Sequence, residues 1–148
     1  MLGAVFLDIK NTFDLVNHNI LLKILSLHTP NSPSVSLFKS YLELRSQSVY
    51  VNGEYSNEGI TCCGIPQGSL LGPLLFCIFI NDLPLHITSK KDNCDMFAEN
   101  TSLNTSNKDT DIVQKELQGS IHEASDLCEN KAMILHPAKT KSMVLKCY

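Results

Sequence analysis

The first third of the chain alternates a short apolar run with apolar residues at helical spacing, which indicates a mixed α and β fold. Residues 4–7 form a continuous apolar run that ends at Asp8, a pattern typical of a strand buried on both faces. After Asn17 the apolar residues have helical spacing until two prolines interrupt the pattern. Ser32 and Pro33 are residue types that favour the N-cap and first turn of a second helix. The apolar positions of these two predicted helices are Ile20, Leu21, Ile24 and Leu25, then Val35, Phe38, Tyr41 and Leu42.

The middle of the chain carries the signals of a hairpin, a shaped loop and an apolar helix. Asn52-Gly53 is the preferred two-residue hairpin turn. Residues 64–69 hold two glycines and a proline and are predicted to form a loop, from which Ser69 can cap a helix running to about Leu83. Apolar residues surround much of this helix, which predicts that it is largely buried and that Leu74→Ala costs about 2–5 kcal/mol. Those apolar residues are Leu70, Leu71, Leu74, Leu75, Ile78 and Phe79.

The second half of the chain contains one long helical pattern. Residues 96–98 are a strand candidate that leads into Glu99 and Asn100. Residues 102–110 are polar and are predicted to form a turn. From Asp111 the spacing predicts an amphipathic helix. Its buried face is expected to hold Val113, Leu117, Ile121, Ala124 and Cys128.

Two further strand candidates, residues 133–135 and 143–145, bracket a turn near the end of the sequence. The predicted order of elements is β-α-α-β-β-α-β-α-β-β. This order favours one α+β or mixed α/β layer domain over residues 1–148.

Composition narrows the class of protein without identifying it. The chain has 148 residues, 43% of them hydrophobic, and a net charge of −3, which suits one globular core and excludes a uniformly basic nucleic-acid-binding protein. Its six cysteines lie in apolar segments without Cys-x-x-Cys spacing, so we expect reduced, mostly buried thiols and no zinc. Residues 70–80 are well short of the roughly 20 apolar residues that span a bilayer, and the N-terminus lacks the basic start of a signal peptide. We therefore expect an intracellular protein, cytoplasmic or nuclear, with no membrane contact.

Acidic and amide side chains end two of the predicted strands, Asp8 on one and Glu99-Asn100 on the other. Oxygen ligands of this kind could hold Mg²⁺ if the strands were neighbours, although such acids are also common as solvated strand ends. The loop at residues 64–69 lacks the Gly-Lys-Ser/Thr ending of a P-loop, so taken alone it favours a tight connection. Lys139 and Lys141, taken alone, are ordinary surface lysines.

Four segments change this interpretation when they are considered together: residues 4–18, 64–73, 97–101 and 137–141. The most specific is Gly64-Ile65-Pro66-Gln67-Gly68-Ser69, which precedes Leu71-Gly72-Pro73. In order and approximate spacing these segments closely resemble the reverse transcriptase of non-LTR (LINE-like) retrotransposons. The resemblance covers nearly the whole chain. It implies an α+β fold, the palm of a right-hand polymerase, with an antiparallel sheet packed on helices, partial fingers and no thumb.

The resemblance also implies roles for individual residues. Asp8, Glu99, Asn100 and Lys139 are implied as catalytic, with Asp8 and Glu99 holding Mg²⁺ and the lysine assisting the leaving pyrophosphate. Phe13 resembles the steric gate against a ribose 2′-hydroxyl. Gln67 and Gly68 resemble the loop that shapes the nucleotide pocket. The implied partners are an RNA template, a DNA primer and deoxynucleotide triphosphates, and the implied chemistry is two-metal nucleotidyl transfer.

The sequence departs from the family at the metal-binding motif. The family's Tyr/Phe-Ala-Asp-Asp stands here as Phe97-Ala98-Glu99-Asn100. Glu99 carries its charge one methylene farther from the backbone, and Asn100 replaces a carboxylate with a neutral amide. From this motif, together with the truncation that leaves partial fingers and no thumb, we expect a reverse transcriptase domain with little or no polymerase activity. The alternative that stays open is a non-catalytic module, derived from the same palm, that binds nucleic acid or a protein.

Overall fold

A computed structural model describes residues 1–30, 33–87, 93–97 and 100–146. The elements in chain order are β1 (Leu2–Asp8), α1 (His18–His28), α2 (Pro33–Leu42), β2 (Ser46–Gln47), β3 (Tyr50–Val51), β4 (Glu54–Tyr55), β5 (Gly59–Ile60), α3 (Gly72–Ile80), α4 (Leu83–His86), β6 (Asn93–Phe97), β7 (Asn100–Ser106), α5 (Thr110–Asn130) and β8 (Lys141–Leu145). They divide into two compact units. The first unit joins Met1–Thr12 to the described residues from Ile80 onward, and the second is Phe13–Phe79. The α+β class is confirmed.

The first unit is built on a four-stranded sheet in the order β6-β7-β1-β8. Every neighbouring pair is antiparallel, and β1 lies between β7 and β8. Successive side chains of a strand point to opposite faces, so β1 buries its residues 3, 5 and 7 on one face. Helix α5 contacts β1 and β7 on the sheet. The amphipathic pattern from Asp111 is therefore confirmed as a helix that covers one side of this sheet.

Gly3 is the position where the sheet and helix α5 approach each other most tightly. A Cβ atom added at Gly3 would lie 2.7 Å from Cδ1 of Leu117 and closer still to Cγ1 of Val113. Both helix side chains therefore occupy the space that any larger residue at Gly3 would need.

We expect Gly3→Ala to lower the free energy of unfolding by about 1–3 kcal/mol, the usual cost of overpacking a close-packed core. Urea denaturation followed by circular dichroism measures the change. Leu117→Ala should relieve part of this penalty in the double variant, because it removes one of the two clashing side chains. If the effects of the two substitutions simply add, the close contact at Gly3 is not the cause of the loss.

A buried lysine joins the short helix α4 to the end of α5. Lys131 is 4% exposed, and its Nζ lies 2.6 Å from Oδ1 of Asp82, whose side chain is half exposed. A buried ammonium group needs such a partner because removing it from water is costly. The ion pair therefore fixes how the residues before α4 contact the C-terminal end of α5.

The second unit contains α1, α2, most of α3 and four short strands. The Asn17 side chain caps α1 by accepting hydrogen bonds from the backbone N–H groups of Asn19 and Ile20. Strands β3 and β4 pair around Asn52 and Gly53, whose φ values of 52° and 90° are those of a type I′ turn. The predicted first helix and the hairpin are confirmed. The buried apolar side chains of this unit are Val16, Leu21, Leu25, Leu42, Ile65, Leu75, Phe76 and Phe79.

Two predictions about the second half of the chain are wrong. The polar segment at residues 102–110 is predicted to be a turn, but its first residues belong to β7, which runs to Ser106. Its threonines and Leu103 face the core while asparagine and serine face the open side, so the strand has no simple apolar and polar alternation. Residues 133–135 do not form a strand, since only Leu135 makes an isolated bridge, to Ile9.

The prediction of a largely buried helix from Ser69 is also wrong. Helix α3 ends at Ile80, and it is buried on one side only. Leu75 is fully buried, whereas Leu74 is 51% exposed and Leu70, before the helix, is 98% exposed. The Ser69 hydroxyl accepts a hydrogen bond from the backbone N–H of Gly72, the first residue of α3.

The remaining expectations concern two residues at the edges of the described segments, the cysteines and a membrane-spanning helix. Ser32, the expected cap of α2, and Ala98, the expected end of β6, lie outside the described residues. Among the described residues the cysteines are free, but they are not mostly buried, because Cys62, Cys63 and Cys77 are exposed. In the part of the chain that the structure describes, no helix is long and apolar enough to cross a membrane.

Candidate functional site

The predicted meeting of two polar strand ends is confirmed for Asp8 and Asn100. The two residues are register partners at the end of the β1–β7 ladder. Asp8 is half-buried and Asn100 is exposed. In an antiparallel pair, directly opposed side chains project from the same face with Cβ atoms about 4.5–5.5 Å apart. The sheet therefore presents one carboxylate and one amide side by side at the end of its central strands.

An open cleft of about 300 Å³ borders these strand ends on the first unit. Phe97 pairs with Asn100 across β6 and β7, so it belongs to the same cross-strand row as Asp8. The Phe97 side chain is 82% exposed. The cleft is lined by Phe6, Leu7, Asp95, Met96, Phe97, Asn100, Thr101 and Ser102. An exposed aromatic ring and polar side chains thus share this part of the sheet.

The turn that carries Lys139 is attached to the same strand end. The backbone N–H of His136 donates a hydrogen bond to the carbonyl oxygen of Asp8 at 2.8 Å. The N–H groups of Lys139 and Thr140 donate back to the His136 carbonyl oxygen, which closes the turn. Lys139 itself is exposed. The structure therefore brings Asp8, Asn100 and the lysine-bearing turn to one end of the sheet.

The donor set at this end is incomplete for a metal within the described residues. Asp8 supplies one carboxylate, and Asn100 supplies an amide oxygen, which Mg²⁺ also accepts. Glu99, the other expected metal ligand, lies outside the described residues. Across residues 1–30, 33–87, 93–97 and 100–146, no group of three or more histidine, cysteine or acidic side chains is arranged to hold a metal ion. The residues described here do not by themselves form a metal centre.

The glycine-containing loop belongs to the second unit, where it is attached to the residues that follow β1. The Gly64 N–H donates to the Val16 carbonyl oxygen, and the Ile65 N–H donates to the Phe13 carbonyl oxygen, both at 2.8 Å. The buried His18 ring adds a third link, since its Nε2–H donates to the Gly64 carbonyl oxygen at 2.7 Å. These bonds hold the loop along residues 13–18.

Gly64 allows this attachment because it has no side chain. Its φ is 90°, which L side chains rarely adopt, and an added Cβ would lie 2.9 Å from the carbonyl oxygen of Asp14. Gly68 also has a positive φ, 77°, but an added Cβ there would meet nothing within 4 Å. The first glycine therefore fixes a close backbone approach, while the second only fixes a turn.

The Gln67 side chain is held by Asp14, the residue whose backbone lies close to Gly64. Its Nε2 donates a hydrogen bond to Oδ1 of Asp14 at 2.9 Å, and both side chains are exposed. Phe13, next to Asp14, packs its ring at 5.3 Å from that of Phe76. The structure thus brings Phe13, Gln67 and Gly68 into the second unit, and it shows what orients the first two.

A larger open cleft of about 720 Å³ lies beside Gln67. It is lined by residues 45–47 and 60–67 and by Asp14. Arg45 is the cation of the cleft, and its guanidinium also lies 5.4 Å from the centre of the Tyr41 ring. The cleft can therefore offer a ligand one cation, one carboxylate and the amide groups of Gln47 and Gln67.

Sequence reasoning missed the roles of Asp14 and His18. Both lie inside the segment that resembled the retrotransposon family, but no function was inferred for either residue. Their partners, Gln67 and Gly64, are about fifty residues away in sequence, and no local pattern reveals such contacts.

Comparison with known proteins identifies the family. Residues 2–147 match the reverse transcriptase (RNA-dependent DNA polymerase) family. The chain is 32% identical over 143 residues to the probable RNA-directed DNA polymerase from transposon BS of Drosophila melanogaster, covering 93% of this chain and 16% of that protein. It is 34% identical over 133 residues to the RNA-directed DNA polymerase from mobile element jockey of the same species, covering 86% and 14%.

The chain therefore belongs to the reverse transcriptase family. Within that family it is a domain of the non-LTR, LINE-like type, as the resemblance predicted. It spans less than a fifth of the length of these two relatives.

Solved structures establish the palm fold. Apo telomerase from Candida tropicalis, truncated from its C-terminal domain, superimposes with a TM-score of 0.70 at 17% identity, over 96% of this chain and 30% of that one. Telomerase from Candida albicans, in complex with a fragment of telomeric RNA, gives a TM-score of 0.73 at 13% identity, over 97% and 28%. At such low identity the likeness concerns the fold alone, and it confirms the predicted palm.

Proposed function

We propose that residues 1–148 form one palm-centred reverse transcriptase domain, related to RNA-directed DNA polymerases, in which primer extension is negligible. The observation that carries the proposal is the register pair of Asp8 and Asn100. Two-metal phosphoryl transfer needs clustered carboxylates that neutralise the charge on the reacting phosphates. Here a neutral amide faces the strand-end carboxylate, so the position offers one negative charge where two would act together.

The proposal assigns Mg²⁺ to Asp8 and Glu99 and expects weak binding. Bound Mg²⁺ supplies charge neutralisation on the triphosphate and alignment of the reacting groups. Glu99 would carry its carboxylate about 1.5 Å farther from the backbone than an aspartate, because of one additional carbon–carbon bond. Catalytic groups must be placed within about 0.5 Å, so this displacement is large. Asn100 then contributes an oxygen without charge.

Lys139 and the second unit would act on the substrates. The Lys139 ammonium is proposed to assist the leaving pyrophosphate, and its turn is attached to Asp8 through His136. Phe13, Gln67 and Gly68 are proposed to contact the incoming nucleotide, with Phe13 excluding a ribose 2′-hydroxyl. The Asp14 carboxylate orients the Gln67 amide for that contact. The proposed partners are an RNA template, a DNA primer and deoxynucleotide triphosphates.

A non-catalytic binding module is the second candidate. The observation that favours it is the same amide at Asn100, because removing a negative charge lowers repulsion between the sheet and a phosphate backbone. In that case the domain would hold an RNA–DNA hybrid without joining nucleotides. Phosphate-driven binding weakens steeply as salt is raised, which gives this function a signature of its own.

We expect the purified chain to incorporate no nucleotide above a protein-free blank. The assay contains an RNA template annealed to a DNA primer, four deoxynucleotide triphosphates and excess Mg²⁺, with products resolved on a denaturing gel. Clear incorporation that disappears in Asp8→Ala would show that the site is catalytically competent and that the proposal of negligible extension is wrong.

The double variant Glu99→Asp, Asn100→Asp is the matched gain-of-charge test. Isothermal titration calorimetry should show tighter Mg²⁺ binding than in the unmodified chain, because a third carboxylate is restored. Extension should stay negligible, since a misplacement of about 1 Å at the primer end can already cost a hundredfold. Salt-dependent binding of the hybrid by both proteins would support the binding module, whereas no hybrid binding at low salt would exclude it.

A further inference from the structure

Two adjacent cysteines line the larger cleft of the second unit, and the proposed function uses neither of them. Cys62 and Cys63 are both free and exposed, and both lie on the wall that leads into the glycine-containing loop. Adjacent residues of an extended strand normally point to opposite faces. Here both residues line the same cleft, and Cys62 is close enough to Cys63 to raise the pKa of its thiol. The chain therefore presents a dithiol to the cleft.

The backbone on both sides of the dithiol is fixed. The Thr61 N–H donates to the Arg45 carbonyl oxygen at 2.9 Å, and the Gly64 N–H donates to the Val16 carbonyl oxygen at 2.8 Å. Cys63 itself forms an antiparallel bridge with Asn17. These contacts hold the backbone of the segment in place, so a ligand that binds both sulfurs does not have to order the chain that carries them. Such preorganisation raises the affinity for a ligand that uses both sulfurs.

We propose that Cys62 and Cys63 form a binding site for one soft, thiophilic centre that has two exchangeable positions, the class to which mono-organic trivalent arsenicals belong. The donor count supports this class. No third histidine, cysteine or acidic side chain completes a metal-binding group among the described residues, so a centre that needs only two thiolates fits better than a tetrahedral metal. This site is additional to the proposed function and does not depend on it.

A disulfide between Cys62 and Cys63 fits the geometry of this segment less well. Disulfides usually join residues whose Cα atoms are 4.4–6.8 Å apart, whereas consecutive Cα atoms are about 3.8 Å apart across a trans peptide. The bridge between Cys63 and Asn17 restricts the change of backbone conformation that closing this ring needs. A bound arsenic atom makes the ring one atom larger, so it demands a smaller change of the backbone than a disulfide does.

The reaction needs no oxidant or reductant. A hydrated arsine oxide carries two hydroxyl groups on trivalent arsenic. Each thiol of the pair displaces one hydroxyl, so that two arsenic–oxygen bonds break, two arsenic–sulfur bonds form and the two thiol protons leave in two molecules of water. Arsenic stays trivalent throughout. Partial burial raises the pKa of the Cys63 thiol, and neighbouring Cys62 raises it further.

The test uses phenylarsine oxide with the full chain and intact-mass spectrometry. We expect a single adduct that survives an excess of a monothiol and is removed by a dithiol such as dithiothreitol. Cys62→Ser and Cys63→Ser should each weaken the apparent affinity by about a hundredfold or more, because one thiolate loses the chelate advantage. Cys77→Ser is the matched control, since Cys77 is also exposed but has no adjacent thiol, and it should bind as the unmodified chain does.

Circular dichroism of each serine variant verifies that the fold is kept, and serine is a small, polar replacement at these exposed positions. Retention of the dithiol-reversible adduct by both Cys62→Ser and Cys63→Ser would overturn the proposal. Loss of the adduct in Cys77→Ser, or its removal by the monothiol, would overturn it equally.

Discussion

Leu75→Ala should lower the free energy of unfolding by about 2–5 kcal/mol, while Leu74→Ala, one residue earlier on the same helix, should cost less than about 1 kcal/mol. The two substitutions remove the same atoms from the same helix and have the same helix propensity. They differ in burial, since Leu75 is fully buried and Leu74 is 51% exposed. The difference between them therefore measures core packing alone.

Chemical denaturation of both variants, with the unmodified chain as reference, gives the two free energies. The denaturant dependence of each transition should stay unchanged, since neither substitution alters the surface exposed on unfolding by much. Equal losses in the two variants would show that α3 is covered on both sides, and the one-sided burial described here would then be incorrect.

Gly64→Ala should lower the free energy of unfolding by about 2–5 kcal/mol, whereas Gly68→Ala should lower it by only about 1–2 kcal/mol. Both glycines have positive φ, so both substitutions place alanine in a left-handed backbone conformation, which is strained. Only at Gly64 does the new methyl group meet the Asp14 carbonyl oxygen, 2.9 Å away. Backbone atoms cannot move aside as a flexible side chain can, so this contact adds to the strain.

The two variants Gly64→Ala and Gly68→Ala can also be compared by a local measurement at the glycine-containing loop. Displacing Asp14 should break its hydrogen bond from the Gln67 amide, and the Gln67 side-chain NH₂ resonances in an NMR spectrum should move in Gly64→Ala. Gly68→Ala should leave those resonances near their original positions. A comparable loss of stability in both variants would mean that backbone strain, and not the approach to Asp14, makes Gly64 necessary.

The elements that sequence reasoning found are those whose signal is local. Asn52-Gly53 predicted the hairpin because a type I′ turn needs positive φ at both residues. The amphipathic period predicted α5, since one stripe of side chains faces the sheet. Strand β7 was missed because its core-facing positions include Thr101 and Thr105, which are polar by type yet buried. Thr105 can be buried because its hydroxyl donates a hydrogen bond to Glu116 on α5.

The sequence predicted the part of the candidate site that lies at strand ends, but not the part that is formed by contacts between loops. Asp8 ends β1 and Asn100 begins β7, and antiparallel neighbours bring the end of one strand beside the start of the other. The contact between Asp14 and Gln67 depends on the path of a loop, which a period of apolar residues does not encode. The one-sided burial of α3 had a similar cause, because an all-apolar helix carries no stripe that indicates which face is covered.

The position of β1 at the centre of the sheet has a consequence for the order of folding. Its Leu2 pairs with Leu145 of β8, so the ladder joins positions that lie almost a whole chain length apart. Loop closure over such a separation is entropically costly, and contacts of this kind slow folding. The second unit, Phe13–Phe79, is continuous in sequence, so its contacts close over shorter separations than the ladder of β1 and β8. Asp8 pairs with Asn100 of β7, which is also far away in sequence, so we expect the residues proposed for chemistry to be assembled after those proposed to position the nucleotide.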